Sequence, residues 1–174
     1  MTVEQERQLA MFEDDPSVDS PLIQPHRFVR IDVRGVPRPQ GSMQPIQSKA
    51  TGRVFMQYPK TVHAWRAQVQ QTVTDAAVDP FEGPVELRLG FDMPRPIGHY
   101  GTGKNVNTIR KGAPLFPTTM PDLDKLVRAI GDACTAAGLW HDDSQVVSLR
   151  AAKRYVLGRR PAGVLIVVST MQAT

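Results

Sequence analysis

Residues 121–146 read PDLDKLVRAIGDACTAAGLWHDDSQV and contain the most informative pattern in the sequence. Its apolar residues recur at positions 123, 126, 127, 130, 134 and 137, a spacing that predicts one amphipathic helix. Asp122 suits the N-cap, because a carboxylate accepts hydrogen bonds from the free amides of a first helical turn. Gly138 suits the left-handed position that ends a helix. The helix therefore separates two carboxylate pairs: Asp122 with Asp124, and Asp142 with Asp143.

These two carboxylate pairs are the candidate site. Mg²⁺ prefers oxygen ligands, keeps several waters, and is usually held by one or two carboxylates together with a substrate phosphate. Such an ion activates water against a phosphodiester and neutralises charge on the scissile phosphate. The spacing alone leaves a structural interpretation open, since Asp122 could be a plain N-cap and Asp142-Asp143 only a solvated turn.

The same stretch resembles the signature of the RusA family of Holliday-junction resolvases, endonucleases that are common in phages and prophages. The matching residues are Asp122-Leu123-Asp124 at the helix start, Arg128 one turn later, Asp132-Ala133 near the helix end, and 138–146. Outside this stretch, residues 94–104 look like the phage branch of the family.

The resemblance implies that Asp122, Asp124 and Asp143 are the catalytic carboxylates and bind Mg²⁺, with Mn²⁺ as a substitute and Asp142 in support. It implies a four-way junction or other branched DNA as substrate. It also implies a homodimer, whose two-fold symmetry matches the two symmetric strands of a junction.

Arg128 stands where the family usually has lysine, and arginine keeps the charge without the compact ammonium group. We predict a catalytic function for Arg128, in which it neutralises charge on the phosphate. The alternative is structural: Arg128 lies four residues after Asp124, on the same helix face, and could pair with it.

The charge distribution favours a polyanionic partner. The chain has 174 residues, a hydrophobic fraction of 41% and a net charge of +4. The length predicts a single domain. Residues 1–20 contain six acidic residues and one basic residue, a net charge of −5, so residues 21–174 carry +9. A basic body suits DNA. We predict an acidic leader at residues 1–24, disordered or peripheral, and a nuclease domain at 25–174; the leader either shields the basic body or has no role.

Targeting signals are missing from the sequence. No apolar run is long enough for a transmembrane helix, and the acidic N-terminus is unlike a signal peptide. The single cysteine, Cys134, lies on the apolar helix face and cannot form an intrachain disulfide. We therefore expect a cytoplasmic protein that has no membrane partner, and the resemblance to a family of phages and prophages implies a bacterial host cell.

The hydrophobic pattern predicts an α+β fold: a mixed sheet of four or five strands with two main helices on one face. Alternation predicts strands at 26–34, 85–93, 146–156 and 164–168, and a short strand near 53–56. The second helix is predicted over 59–77. Trp65 and Trp140 are expected in the core, because each lies on or beside an apolar face.

Basic residues on the helix predicted over 59–77 and in the irregular segment 94–120 are candidate DNA contacts. These are Lys60, Arg66, Arg95, His99, Lys104 and Lys111. A segment of this length without regular structure is usually functional or disordered, so a DNA-contacting flap and a mobile loop are both open interpretations.

The predicted function is metal-dependent cleavage of branched DNA in recombination and repair. One alternative is a nuclease specific for flaps or replication forks. The other is a protein that binds branched DNA without cutting it; the carboxylate set argues against this, whereas Arg128 in the lysine position leaves it open.

Overall fold

The computed structural model describes residues 27–41, 44–57, 60–156 and 160–171. The predicted acidic leader lies outside these residues. In chain order the described elements are β1 (Phe28–Arg34), β2 (Gln44–Gln47), β3 (Val54–Gln57), α1 (Lys60–Asp75), β4 (Val85–Met93), α2 (Leu123–Ala136), β5 (Val146–Tyr155) and β6 (Gly163–Thr170).

The main sheet has four strands in the order β1-β6-β4-β5. Strand β6 is antiparallel to both β1 and β4, whereas β4 and β5 are parallel. The sheet is therefore mixed, as predicted. Strands β2 and β3 form a separate antiparallel pair; β3 was expected from the sequence and β2 was not.

One hydrophobic core joins the sheet and both helices, which also contact each other. Strand β4 supplies alternate buried residues from Val85 to Met93, and α2 supplies Leu126, Ile130 and Cys134. Burial raises the pKa of the Cys134 thiol to about 12, which agrees with its predicted place in the core. The predicted α+β arrangement is confirmed.

Both tryptophans are core residues, as expected. Trp65 of α1 is 3% exposed and Trp140, between α2 and β5, is 1% exposed. The indole N–H of Trp140 donates to Thr135 Oγ1 at 2.7 Å, which satisfies its polar atom inside the core. Neither ring is available as a stacking platform for DNA bases.

The end of α2 follows the predicted pattern. Gly138 has φ of 74°, a left-handed conformation that glycine adopts without a steric penalty. The amide of Leu139 then donates to the Cys134 carbonyl at 3.0 Å, which closes the last turn. The chain leaves the helix here and turns back towards the start of β5.

Residues 94–120 contain two short 3-10 helices, Ile97–His99 and Gly103–Asn105, and an isolated bridge between Tyr100 and Ile109. Arg95 is only 9% exposed and anchors the segment. Its guanidinium donates to the Pro114 carbonyl at 2.9 Å and lies 4.4 Å from the Tyr155 ring centroid. In the described part of the chain, no helix has the length and apolarity that a bilayer crossing requires.

Candidate active site

A cavity of about 550 Å³ lies between α2 and the beginning of β5, and we call it the α2–β5 cavity. Its polar lining is Asp124, Arg128 and Asp132 from α2, and Asp143 from the turn before β5. The three α2 residues are spaced four apart, so they share one helix face. The rest of the lining includes apolar side chains such as Leu123, Val127, Trp140, Val146 and Leu149.

Asp143 is carried by a tightly bonded turn, the 3-10 helix Asp143–Gln145. Asp142 caps this turn by accepting a hydrogen bond from the Ser144 amide at 2.8 Å. Hydrogen bonds from the Ser144 hydroxyl and amide hold the pKa of Asp142 below its usual value. Asp142 therefore supports the turn, whereas the exposed Asp143 side chain lines the cavity.

Gln145 fixes the same turn to the loop before β4. Its side-chain oxygen accepts from the amides of His141 and Asp142 at 2.8 and 3.2 Å. Its side-chain nitrogen donates to the carbonyls of Phe81 and Gly83, both at 2.9 Å. No function was assigned to Gln145 from the sequence, although its place in the family signature was the available signal.

Asp122 occupies the N-cap position of α2, but among the described residues its side chain does not accept the predicted cap hydrogen bond from a backbone amide. The carboxylate instead forms an ion pair with Lys125, with Oδ2 2.6 Å from Nζ. The hydrogen bond and charge of Lys125 lower the pKa of Asp122, and the charge of Lys153 adds to this effect. Asp122 does not line the α2–β5 cavity.

Lys153 is a site residue that sequence reasoning missed. Its ammonium donates to the carbonyls of Thr119 and Pro121, both at 2.8 Å, immediately before Asp122. Lys153 and Arg154 are adjacent on β5, so their side chains point to opposite faces of the sheet and at most one of them can face the site. Pairing of Phe91 with Lys153 places Lys153 on the helix-covered face, since Phe91 is a core residue.

Arg128 lines the cavity beside Asp124. In the part of the chain that the structure describes, Arg128 forms no ion pair with Asp124, so the structural alternative for Arg128 has no support here. The ion pair on this side of α2 joins Arg66 of α1 to Asp132, with Nη2 3.6 Å from Oδ2. Sequence reasoning assigned no function to Asp132, although it belongs to the family signature.

The other predicted DNA contacts lie in different environments. Lys104 and Lys111 are exposed. His99 is half-buried and packs its ring edge-on against Tyr155, with centroids 5.3 Å apart. Lys60 begins α1, and its side chain is outside the described atoms. Arg95 is a correction: its buried guanidinium contacts Pro114 and Tyr155 inside the protein, so it is not available to a DNA phosphate.

The proline-containing loop after β1 reaches the same end of α2. The amide of Gln40 donates to the Lys125 carbonyl at 2.9 Å. The first turn of α2 is therefore held from two sides, by Gln40 and by Lys153.

The carboxylates have the donor chemistry that Mg²⁺ requires. Asp124 and Asp143 line one cavity, and Mg²⁺ is usually held by one or two carboxylates together with water and phosphate. Over the described residues, no group of three His, Cys, Asp or Glu side chains is positioned to hold one ion. Metal binding by Asp122, Asp124 and Asp143 together therefore stays a prediction.

Comparison with known protein families decides the relationship. The family model described as Endodeoxyribonuclease RusA matches residues 37–168. The chain belongs to the RusA family. The match contains both α-helices and every lining residue of the α2–β5 cavity. Membership in the RusA family implies an endonuclease that acts on branched DNA and resolves Holliday junctions.

A curated relative of this RusA family member is similar over most of both chains. It is the "Uncharacterized protein YqaN" of Bacillus subtilis (strain 168), which is 30% identical over 128 residues. The aligned region covers 73% of this chain and 87% of the relative. Membership in the phage branch of the RusA family stays a prediction.

Proposed function

We propose that the protein is a Mg²⁺-dependent, structure-specific endodeoxyribonuclease that resolves Holliday junctions and other branched DNA in recombination and repair. The observation that carries the proposal is the α2–β5 cavity of this RusA family member, which is lined by Asp124, Asp143 and Arg128. Metal-assisted phosphodiester hydrolysis uses this combination of metal-binding oxygens and positive charge.

Asp124 and Asp143, with Asp122 beside them at the N-cap, would hold the metal. When bound, Mg²⁺ supplies an activated water and neutralises charge on the phosphate. Arg128 has no ion pair with Asp124 in the described structure, so its guanidinium is available to bind the scissile phosphate. Asp142 and Gln145 orient the turn that carries Asp143.

Basic residues around this site would position the DNA. Lys104 and Lys111 are exposed in the segment that leads to Asp122, and Arg66 lies beside the cavity through its ion pair with Asp132. We also propose a homodimer in the bacterial cytoplasm. Strand β5 is at the edge of the sheet and exposes Val147 and Leu149 by 60% and 51%, and unpaired edges of this kind are common sites of association.

The test is a cleavage assay on labelled four-way junctions, forks, flaps and linear duplexes, with Mg²⁺ or with a chelator. We expect cleavage of the four-way junction that requires Mg²⁺. Asp124→Asn and Asp143→Asn should each abolish cleavage while leaving DNA binding intact, because a neutral ligand weakens the metal site and reduces repulsion of phosphate. Asp122→Asn should do the same.

Asp75→Asn is the matched control, since Asp75 is an exposed carboxylate at the end of α1. Near-normal cleavage by any of the three site variants would show that this residue is not a metal ligand. If the protein cleaves forks or flaps but leaves four-way junctions uncut, forks or flaps are the substrate and not Holliday junctions. Binding to branched DNA without cleavage, in Mg²⁺ or Mn²⁺, would contradict the proposed reaction.

A further inference from the structure

The sheet face that points away from the helices is rich in arginine, and we call it the polar face. It carries Arg30, Asp32, Arg34, Glu86, Arg88, Asp92, Arg150 and Arg154 on strands β1, β4 and β5, with Arg160 in the loop before β6. Six arginines against three carboxylates give a formal charge of +3. The α2–β5 cavity is on the other side of the sheet.

Cross-strand register organises these side chains into rows. One row contains Arg30, Arg88 and Arg150, and another contains Arg34, Asp92 and Arg154. The row between them contains Asp32 on β1 and Leu165 on β6, followed by Gly90 on β4 and Ala152 on β5, which have little or no side chain. The polar face therefore has a shallow trough over β4 and β5, with Gly90 and Ala152 in its floor and rows that carry arginines along both sides.

A cavity of about 310 Å³ opens at one end of this trough. Its charged lining is Arg30, Asp32, Arg34, Asp92, Arg154 and Arg160. Strands β1 and β6 approach closely beneath it: a Cβ on Gly163 would overlap the Val33 carbonyl oxygen. Only glycine fits at this position.

Three of the six arginines have no carboxylate partner within the described parts of the chain. Glu86 is shared by Arg88 and Arg150, at 2.7 and 3.2 Å, and Asp92 pairs with Arg154 at 2.6 Å. Among the described residues, Arg30, Arg34 and Arg160 form no ion pair, and all three are exposed. Their positive charge is available to an external anion.

We propose that the polar face is a second DNA-binding surface, which holds the phosphate backbone of one duplex arm of a branched substrate. The guanidinium group matches phosphate with paired donors, and phosphate contacts supply affinity without reading sequence. A branched substrate sends arms in several directions, so a second arm can reach the far side of the sheet. This inference rests on the proposed function.

The test compares junction binding by the parent and by Arg30→Gln/Arg34→Gln between 50 and 200 mM salt. We expect the slope of log affinity against log salt to fall by about two, one for each lost phosphate contact. At 0.1 M salt the affinity should fall about tenfold or more. Arg30→Lys/Arg34→Lys should keep most of the slope, because it keeps the charge.

Lys49→Gln/Arg53→Gln is the matched control. It removes the same charge from exposed residues at the β2–β3 turn, and we expect affinity within twofold of the parent. Thermal unfolding of all variants verifies that the fold is intact. At saturating protein, Arg30→Gln/Arg34→Gln should cleave the junction at the parent rate, since the α2–β5 cavity is unchanged.

The outcomes separate this inference from the proposed function. If the parent cleaves the junction and the double variant binds it as tightly as the parent, the proposed second DNA-binding surface is wrong and the proposed nuclease function stands. Tighter binding by the double variant, as expected if residues 1–20 covered the polar face, also overturns it. A parent that binds junctions without cutting them, together with a weakened double variant, overturns the nuclease and supports the second surface.

Discussion

Gln145 shows how one side chain can set the position of another at the site. Its amide oxygen accepts two backbone hydrogen bonds within the turn, and its amide nitrogen donates to two carbonyls of the loop before β4. Both halves of the amide are therefore required. A carboxylate of the same size would place an oxygen against the carbonyls of Phe81 and Gly83.

We expect Gln145→Glu to lower the free energy of unfolding by about 1–3 kcal/mol, because it removes two donated hydrogen bonds and opposes acceptor to acceptor. Cleavage should also decrease, since the turn carries Asp143, whereas DNA binding should persist. Denaturant unfolding measures the first effect. Asn107→Asp, an exposed amide-to-acid change, is the control and should leave stability unchanged.

Arg128 gives the second prediction at this scale. Arg128→Lys should keep cleavage within about tenfold of the parent, or about 1.4 kcal/mol of barrier, because lysine supplies the same charge. Arg128→Ala should lose far more. Folding and junction binding should change little in both variants, because no ion pair to Asp124 is lost. Cleavage by Arg128→Ala at the parent rate would exclude Arg128 from the reaction.

Helix α2 and strand β5 show which elements can be predicted from sequence and which contacts cannot. The period of α2, its end at Gly138 and the alternation of β4 are local properties, and all were predicted within a few residues. The direction of Lys153 depends on the register between β4 and β5, and the Arg66–Asp132 ion pair depends on the packing of two helices. Such contacts are decided by tertiary structure, so the sequence pattern did not contain them.

Charge partners within one helix were also difficult to predict. Asp122 suited an N-cap hydrogen bond, yet Lys125 competes for the same carboxylate three residues later. The ion pair satisfies Asp122 without the cap. The sequence pattern therefore identified Asp122 as the residue at the helix start. The orientation of its side chain depends on the rotamer of Lys125, which the sequence does not give.

The hydrogen bonds from Lys153 of β5 to the residues that precede α2 yield a prediction for these two elements. Lys153→Met removes two hydrogen bonds to the carbonyls before Asp122, so we expect the first turn of α2 to lose its fixed position. Cleavage should fall, while the melting temperature should fall by only a few degrees. Lys49→Met, on the exposed β2–β3 turn, is the control. Unchanged cleavage by Lys153→Met would show that this tie is not required.

At the scale of the whole molecule, charge of opposite sign is separated along the chain. Residues 1–20 carry −5 and the remainder carries +9. Unlike charges attract over about 10 Å at 0.1 M salt, so an acidic leader can compete with DNA for basic surface. The strength of this competition depends on ionic strength.

We therefore expect deletion of residues 1–20 to strengthen junction binding, with the largest effect at low salt. Binding isotherms of the full chain and the truncated protein at 50, 100 and 200 mM salt measure the difference, which should shrink as salt rises. Equal or weaker binding by the truncated protein would remove the shielding function from the leader.

The parallel pairing of β4 with β5 has a further consequence. Parallel neighbours cannot be joined by a tight turn, so the chain must travel back along the sheet between them. Residues 94–145 form this crossover connection, which contains Asp122, Asp124, Arg128 and Asp143. Both ends of this connection are fixed, because β4 and β5 are paired neighbours in the sheet. Because α2 within this segment packs into the core, a change of length is best accommodated in the irregular residues 96–120, where it would alter the surface that leads to Asp122 while the sheet keeps its register.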